Sequence, residues 1–107
     1  MTVERNVELE ISERRREIDA IDDELLLLLN RRAALASRLL RLKRNAGLAV
    51  HDPDREQNVV HRARRANAGP LDGAAVEAIF RCIVTEVRKS EEVENRRMTG
   101  SGDAPQS

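Results

Sequence analysis

The N-terminal part of the chain predicts a single, very long helix. Residues 3 to 44 contain neither proline nor glycine and are rich in leucine, alanine, arginine and glutamate, which favour helices. A helix of that length spans roughly 60 Å, whereas a compact domain of 107 residues is only about 35 Å across. The rest of the chain therefore cannot cover the first helix. We expect a second copy to cover it, because symmetric homodimers are the commonest assemblies.

An apolar stripe runs along this predicted helix and is interrupted by one cation. The stripe, here called the N-terminal stripe, consists of Ile18, Ile21, Leu25, Leu28, Leu35, Leu39 and Leu42, and the gap in its spacing falls on Arg32. A guanidinium keeps its proton, so on an apolar face it needs an anion. Lys43 lies eleven residues further on, roughly 20° off the same face and about 16 Å along the axis. Either both cations lean toward one anionic ligand, or both snorkel with their stems on apolar surface.

Composition argues against several classes of protein. Lys+Arg and Asp+Glu both number 19, so no net positive charge attracts nucleic acid, and Phe80, the single aromatic residue, provides no stacking platform. The leucine run ends after five residues and the N-terminus lacks a signal-peptide pattern, so we expect no membrane span and a cytoplasmic protein. His51 and His61 have no companions at metal-ligand spacing, so no metal is expected. Cys82, on an apolar helical face, is expected to be a small buried residue.

Turn-forming residues divide the chain into three helices. Asn45 and Gly47 can end the first helix, because both tolerate the left-handed conformation that closes a helix. Asp52 is expected to be the N-cap of the second helix, with Pro53 at its first position, where the missing N–H costs nothing. The run from Asn67 to Pro70 breaks this second helix.

A third helix and a tail complete the predicted organisation. Asp72 is expected to cap the third helix, whose apolar face is formed by Val76, Ile79, Phe80, Ile83, Val84 and Val87. From Met98 onward the sequence has nothing to bury and is expected to be disordered. The prediction is one helical domain over residues 1–97 and a tail over residues 98–107.

Two groups of charged residues are candidates for a site. Glu91 follows Val87 by four residues, so the apolar face of the third helix runs into a carboxyl group. Periodicity alone favours the interpretation that the helix leaves the core at this point. Asp52, Arg55 and Glu56 lie at the start of the second helix beside free backbone N–H groups. This arrangement is common in solvated caps, and it also suits an anionic or hydroxylated ligand.

Five motifs in order resemble one known family, the helical AroQ-type chorismate mutases. They cover roughly residues 9 to 92: RREIDAIDDELL at 15–26, LLNRR at 28–32 with a lysine eleven residues later, DPDRE at 52–56, GPLD at 69–72 and AIFRCIV at 78–84. The resemblance implies an all-α fold with three helices per chain in an intertwined antiparallel homodimer. It further implies conversion of chorismate to prephenate, a shikimate-pathway step toward phenylalanine and tyrosine, without a cofactor.

The family's pattern implies a substrate site formed by eight residues. They are Arg15, Arg32, Lys43, Asp52, Arg55, Glu56, Val87 and Glu91. Arg32, Lys43 and Glu91 are the implied catalytic groups, and Arg15 comes from the opposite protomer in such enzymes. Helix geometry requires the same, because Arg15 and Arg32 are 17 residues apart, about 25 Å along the axis and roughly 100° out of phase.

The resemblance also implies a role for each side chain. Arg15 and Arg32 would bind the two substrate carboxylates, and Lys43 would bind a carboxylate and the ether oxygen. The ring hydroxyl would be held by Glu56 together with the backbone near Asp52. Arg55 would support the anion site.

The sequence departs from the family's pattern at two positions. Where this chain has Glu91, many members have glutamine, which donates a hydrogen bond to the ether oxygen; Glu91 can donate only when protonated. Val87 occupies a position that is often a small polar residue, so one contact to a substrate carboxylate is expected to be missing.

Rival functions stay open at the level of sequence. A lyase that splits isochorismate or a mutase that acts on aminochorismate would share the fold, although the cluster of Asp52, Arg55 and Glu56 suits a ring hydroxyl. A non-catalytic helical dimerisation or regulatory module would explain the stripe and the long helix but not the convergence of Arg32, Lys43 and Arg55. The sequence also leaves open whether a regulatory enzyme of the shikimate pathway binds.

Overall fold

The computed structural model describes the backbone of residues 2–103 and the side chains of residues 3–97. Within that range the chain forms three helices and no strand: α1 Thr2–Asn45, α2 Pro53–Ala66 and α3 Gly73–Asp103. The predicted all-α organisation and the long first helix are confirmed. The tail was predicted to begin at Met98, but helix α3 continues past this residue. The end of the predicted tail, residues 104–107, lies outside the described residues. None of the helices in the described range is long and apolar enough to cross a membrane.

The end of α1 is closed by a motif that the sequence predicted in part. Gly47 has a φ of 71°. The Leu48 N–H donates to the Lys43 carbonyl (2.8 Å) and the Gly47 N–H donates to the Arg44 carbonyl (3.1 Å). This pair of bonds is a Schellman motif with glycine in the left-handed position. It stops the helix directly after the turn that carries Lys43.

The starts of α2 and α3 are capped by the predicted aspartates. The Arg55 N–H donates to Asp52 Oδ1 at 3.0 Å, and Pro53 takes the first helical position. The Ala75 N–H donates to Asp72 Oδ1 at 2.7 Å. Each carboxylate satisfies a backbone donor that the first helical turn leaves without a partner.

The described residues fall into two units that divide after Leu35. In the second unit α2 and α3 pack against each other, with Val60 (2% exposed) and Val76 (7% exposed) in the contact. An ion pair between Arg64 Nη1 and Glu77 Oε2 at 3.1 Å also joins these two helices. The prediction for Cys82 was wrong, because its side chain is exposed in the single chain.

The N-terminal stripe has no cover within a single chain. Each of its seven apolar side chains is at least 50% exposed. At about 25 cal/mol for each Å² of apolar surface removed from water, covering such a stripe would supply a large favourable free energy. Exposed apolar side chains in such numbers are typical of surfaces that bind another protein.

Candidate active site

Half-burial sets Arg32 and Lys43 apart from most other cations among the described side chains. Among the side chains of residues 3–97, only Arg32, Lys43 and Arg44 are cations that are half-buried and have no acidic partner within 4 Å. A partly desolvated charge without a counter-ion is unfavourable in the free protein. Arg32 and Lys43 share this environment with Arg44, and their contact with an anionic ligand stays a prediction.

Arg15 lies on the exposed part of α1. Its neighbour Arg14 pairs with Glu17 at 2.7 Å and with Glu13 at 3.4 Å, whereas Arg15 makes no ion pair with a described residue. Because the helix is unbroken between Arg15 and Arg32, these two guanidinium groups start about 25 Å apart along the axis. One chain alone does not bring them to a single small ligand.

Three predicted site residues, Asp52, Arg55 and Glu56, lie at the N-cap and in the first turn of α2. Asp52 is occupied as the N-cap, which leaves its backbone at the entrance of the helix. Arg55 is exposed, and Glu56 is half-buried. Glu56 lines an open cleft of about 230 Å³ between α2 and α3, together with Pro53, Gln57, Val60, Arg81, Val84 and Thr85.

Arg88, which was not among the predicted site residues, binds the Glu56 carboxylate. Arg88 Nη1 donates to both carboxylate oxygens of Glu56, at 3.0 Å and 2.9 Å. The same nitrogen lies 3.3 Å from His51 Nε2, and His51 Nε2 is 3.9 Å from Glu56 Oε2. His51 was predicted to be an ordinary surface residue; it is exposed, and it belongs to this group.

Glu91 lies at the edge of a second cleft. This cleft has a volume of about 270 Å³ and is lined by Ser37, Arg41, Arg44, Ser90, Glu91 and Glu94. Glu91 is half-buried, as is Val87 one turn earlier. The carboxyl group thus stands between α3 and the end of α1 rather than in open solvent. Val87 offers no polar atom on that side chain.

The structure brings only part of the predicted site together. Asp52, Arg55 and Glu56 share one helical turn, and Arg88 connects Glu56 to the stretch of α3 that carries Val87 and Glu91. No hydrogen bond or ion pair joins Lys43 or Glu91 to another predicted site residue within the described range. The contact of Arg88 with Glu56 could not be predicted from local sequence. Glu91 and Glu92 stand three and four residues after Arg88, a spacing that suggests pairing within the helix.

A comparison with known protein families shows which family the chain belongs to. The model of the family described as chorismate mutase type II matches residues 14–92. The chain belongs to this family. The matched range contains all eight residues that the sequence pattern places in a chorismate mutase site, from Arg15 to Glu91.

Three relatives carry chorismate mutase in their names. A bifunctional chorismate mutase/prephenate dehydratase of Aquifex aeolicus is 40% identical over 80 residues, which is 71% of this chain and 22% of the relative. A protein of the same name from Neisseria gonorrhoeae is 42% identical over 72 residues, 67% of this chain and 19% of the relative. A chorismate mutase of Methanocaldococcus jannaschii is 34% identical over 55 residues, 51% of this chain and 56% of the relative.

The chain spans about a fifth of the length of these two bifunctional relatives. No solved structure gives a significant match.

Proposed function

We propose that the chain is a chorismate mutase that rearranges chorismate to prephenate in a site built from two copies of itself. The observation that carries this proposal is the family match over residues 14–92, which includes every residue of the expected site. The half-buried cations on α1 support it, because the substrate is a dianion that would compensate their charge. The subsite on the first turn of α2 supports it, because chorismate carries a ring hydroxyl.

A second copy of the chain completes the proposed site. The exposed N-terminal stripe supports a homodimer, since each copy of α1 would cover the stripe of the other. An antiparallel arrangement brings Arg15 of the second copy toward Arg32 and Lys43 of the first. The two sites are then equivalent, as the symmetry of a dimer requires.

The reaction needs orientation and charge, and this chain's residues provide both. A Claisen rearrangement breaks the ether bond while a carbon-carbon bond forms, without a nucleophile and without net proton transfer. Arg15 of the second copy and Arg32 would hold the two carboxylates, so that the folded conformer is selected. Lys43 would donate to the ether oxygen, where negative charge grows in the transition state.

The remaining residues would bind the ring hydroxyl and donate a second hydrogen bond to the ether oxygen. Glu56 and the backbone near Asp52 would bind the ring hydroxyl, while Arg55 would add positive charge at the entrance of α2. Glu91 would donate to the ether oxygen in its protonated form, as the second donor beside Lys43. The pathway role that follows is a step of aromatic amino acid biosynthesis.

We expect the purified chain to turn over chorismate and to leave its analogues unchanged. Incubation with chorismate, isochorismate and aminochorismate in separate reactions, followed by product identification, tests this directly. Prephenate from chorismate alone supports the proposal. Pyruvate from isochorismate, or a rearranged product from aminochorismate alone, would assign the same fold to a different substrate. Absence of turnover with all three would leave a dimerisation or regulatory module.

We expect the pH profile of turnover to depend on Glu91. A carboxyl group donates a hydrogen bond only when it is protonated, whereas the amide of glutamine always carries donors. Glu91→Gln donates at every pH, so its profile should be flatter and its kcat higher near neutrality. Glu91→Ala should be poor throughout. The measurement is kcat against pH for the three proteins.

The neighbouring carboxyl group provides a matched control for Glu91. Glu92 is exposed on the next position of α3, and Glu92→Gln should keep the wild-type profile. If Glu91→Gln also keeps it, Glu91 lies outside the site and the proposed register of α3 is wrong.

A further inference from the structure

Three segments of the chain meet at Arg88. Its Nη1 donates to both carboxylate oxygens of Glu56, at 3.0 Å and 2.9 Å. The same nitrogen lies 3.3 Å from Nε2 of His51, in the linker between α1 and α2. The side chains of Arg88 and Glu56 are 37% and 29% exposed, respectively. The pair is therefore partly shielded from water, unlike the ion pairs that Arg14 makes along the surface of α1.

Arg88 pairs across helices although acids stand beside it on its own helix. Glu91 and Glu92 lie at the three- and four-residue spacings that suit pairing within α3. The guanidinium instead reaches the carboxylate 32 residues earlier in the chain. This choice ties the first turn of α2 to the stretch of α3 that carries Val87 and Glu91.

The contact restricts the Glu56 carboxylate without occupying all its acceptor positions. A carboxylate offers about four acceptor positions, and a single guanidinium nitrogen takes one on each oxygen. The remaining positions are available to a ligand hydroxyl, and Glu56 also borders the open cleft between α2 and α3. The positive charge of Arg88 additionally offsets the negative charge that Glu56 would present to a dianionic ligand.

We propose that Arg88 is a positioning residue that orients Glu56 toward the ring hydroxyl of the substrate and cancels its repulsion of the substrate's carboxylates. This inference rests on the proposed function. Arg88 itself does not touch the substrate. Its effect is on substrate binding and passes through Glu56.

A second ion pair between the same helices provides a control. It distinguishes a residue that positions Glu56 from one that only holds α2 against α3. Arg64 and Glu77 join α2 to α3 at 3.1 Å, and neither belongs to the proposed site. Arg64→Met and Arg88→Met therefore each remove one ion pair between α2 and α3. If Arg88 served only to dock the helices, the two variants would have the same kinetic constants.

The experiment measures kcat and KM for chorismate, and the thermal unfolding midpoint, in Arg88→Met, Arg88→Lys and Arg64→Met. Arg88→Met should lower kcat/KM about tenfold or more, mainly through KM. Arg88→Lys keeps the charge and should recover most of the loss. Arg64→Met should keep the wild-type KM, even if its unfolding midpoint falls.

A double-mutant cycle shows whether Arg88 acts through Glu56. In a Glu56→Gln background, Arg88→Met should reduce kcat/KM by less than about twofold, because the residue it positions is already altered. An unchanged KM in Arg88→Met would overturn the inference, and so would equal losses in the two backgrounds. If Arg88→Met does not fold, the same cycle is run with Arg88→Lys, whose smaller loss should also vanish in that background. A wild-type chain without chorismate turnover would instead overturn the proposed function.

Discussion

Replacing Arg32 with leucine should abolish most activity and leave the protein at least as stable as before. Arg32 is half-buried in the gap of the N-terminal stripe and has no acidic partner among the described residues. Leucine completes the stripe and removes an uncompensated charge, so the free energy of unfolding should stay level or rise. The loss of a cation aimed at a substrate carboxylate should reduce kcat/KM about a hundredfold or more. Steady-state kinetics and thermal unfolding without ligand measure the two effects.

The adjacent residue provides the control for this substitution. Arg31 is exposed and lies off the stripe, and Arg31→Leu should keep wild-type kinetics. If Arg32→Leu lowers the unfolding midpoint strongly without ligand, Arg32 has a structural anion as its partner. In that case Arg32 would stabilise the fold and would not be a substrate-binding residue.

The sequence predicted the helices well because their signals are local. The absence of proline and glycine before Arg44 fixes the length of α1, and Gly47 closes it in the left-handed conformation. The carboxylates of Asp52 and Asp72 cap the next two helices, as the sequence predicted. Each of these signals at a helix end depends on residues within about one helical turn.

Contacts between helices were harder to predict, because periodicity assigns a residue to a face and not to a partner. Cys82 lies among apolar residues in the sequence, yet it is exposed in the single chain. Arg88 has acids within reach on its own helix, yet its partner is Glu56 on α2. The residues of the site that come from different helices, Lys43 and Glu91 among them, stay predictions for the same reason.

Two inactive variants should restore activity to each other. Arg15→Ala removes the cation that the second copy contributes, and Lys43→Ala removes one that the first copy contributes, so each homodimer has two damaged sites. Unfolding and refolding the two proteins together gives heterodimers in which one site has lost both groups and the other is intact. With equal amounts and random pairing, half the dimers are mixed, so activity should return to about a quarter of the wild-type value.

The measurement that tests the shared site most directly is this activity, with heterodimers counted by mass spectrometry under native conditions. A matched mixture of Arg32→Ala and Lys43→Ala should stay inactive, because both residues come from the same copy and every site in the heterodimer is damaged. Recovery to about a quarter in the first mixture and none in the second is the predicted result. Heterodimers present in both mixtures without recovery in the first would contradict a site built from two chains.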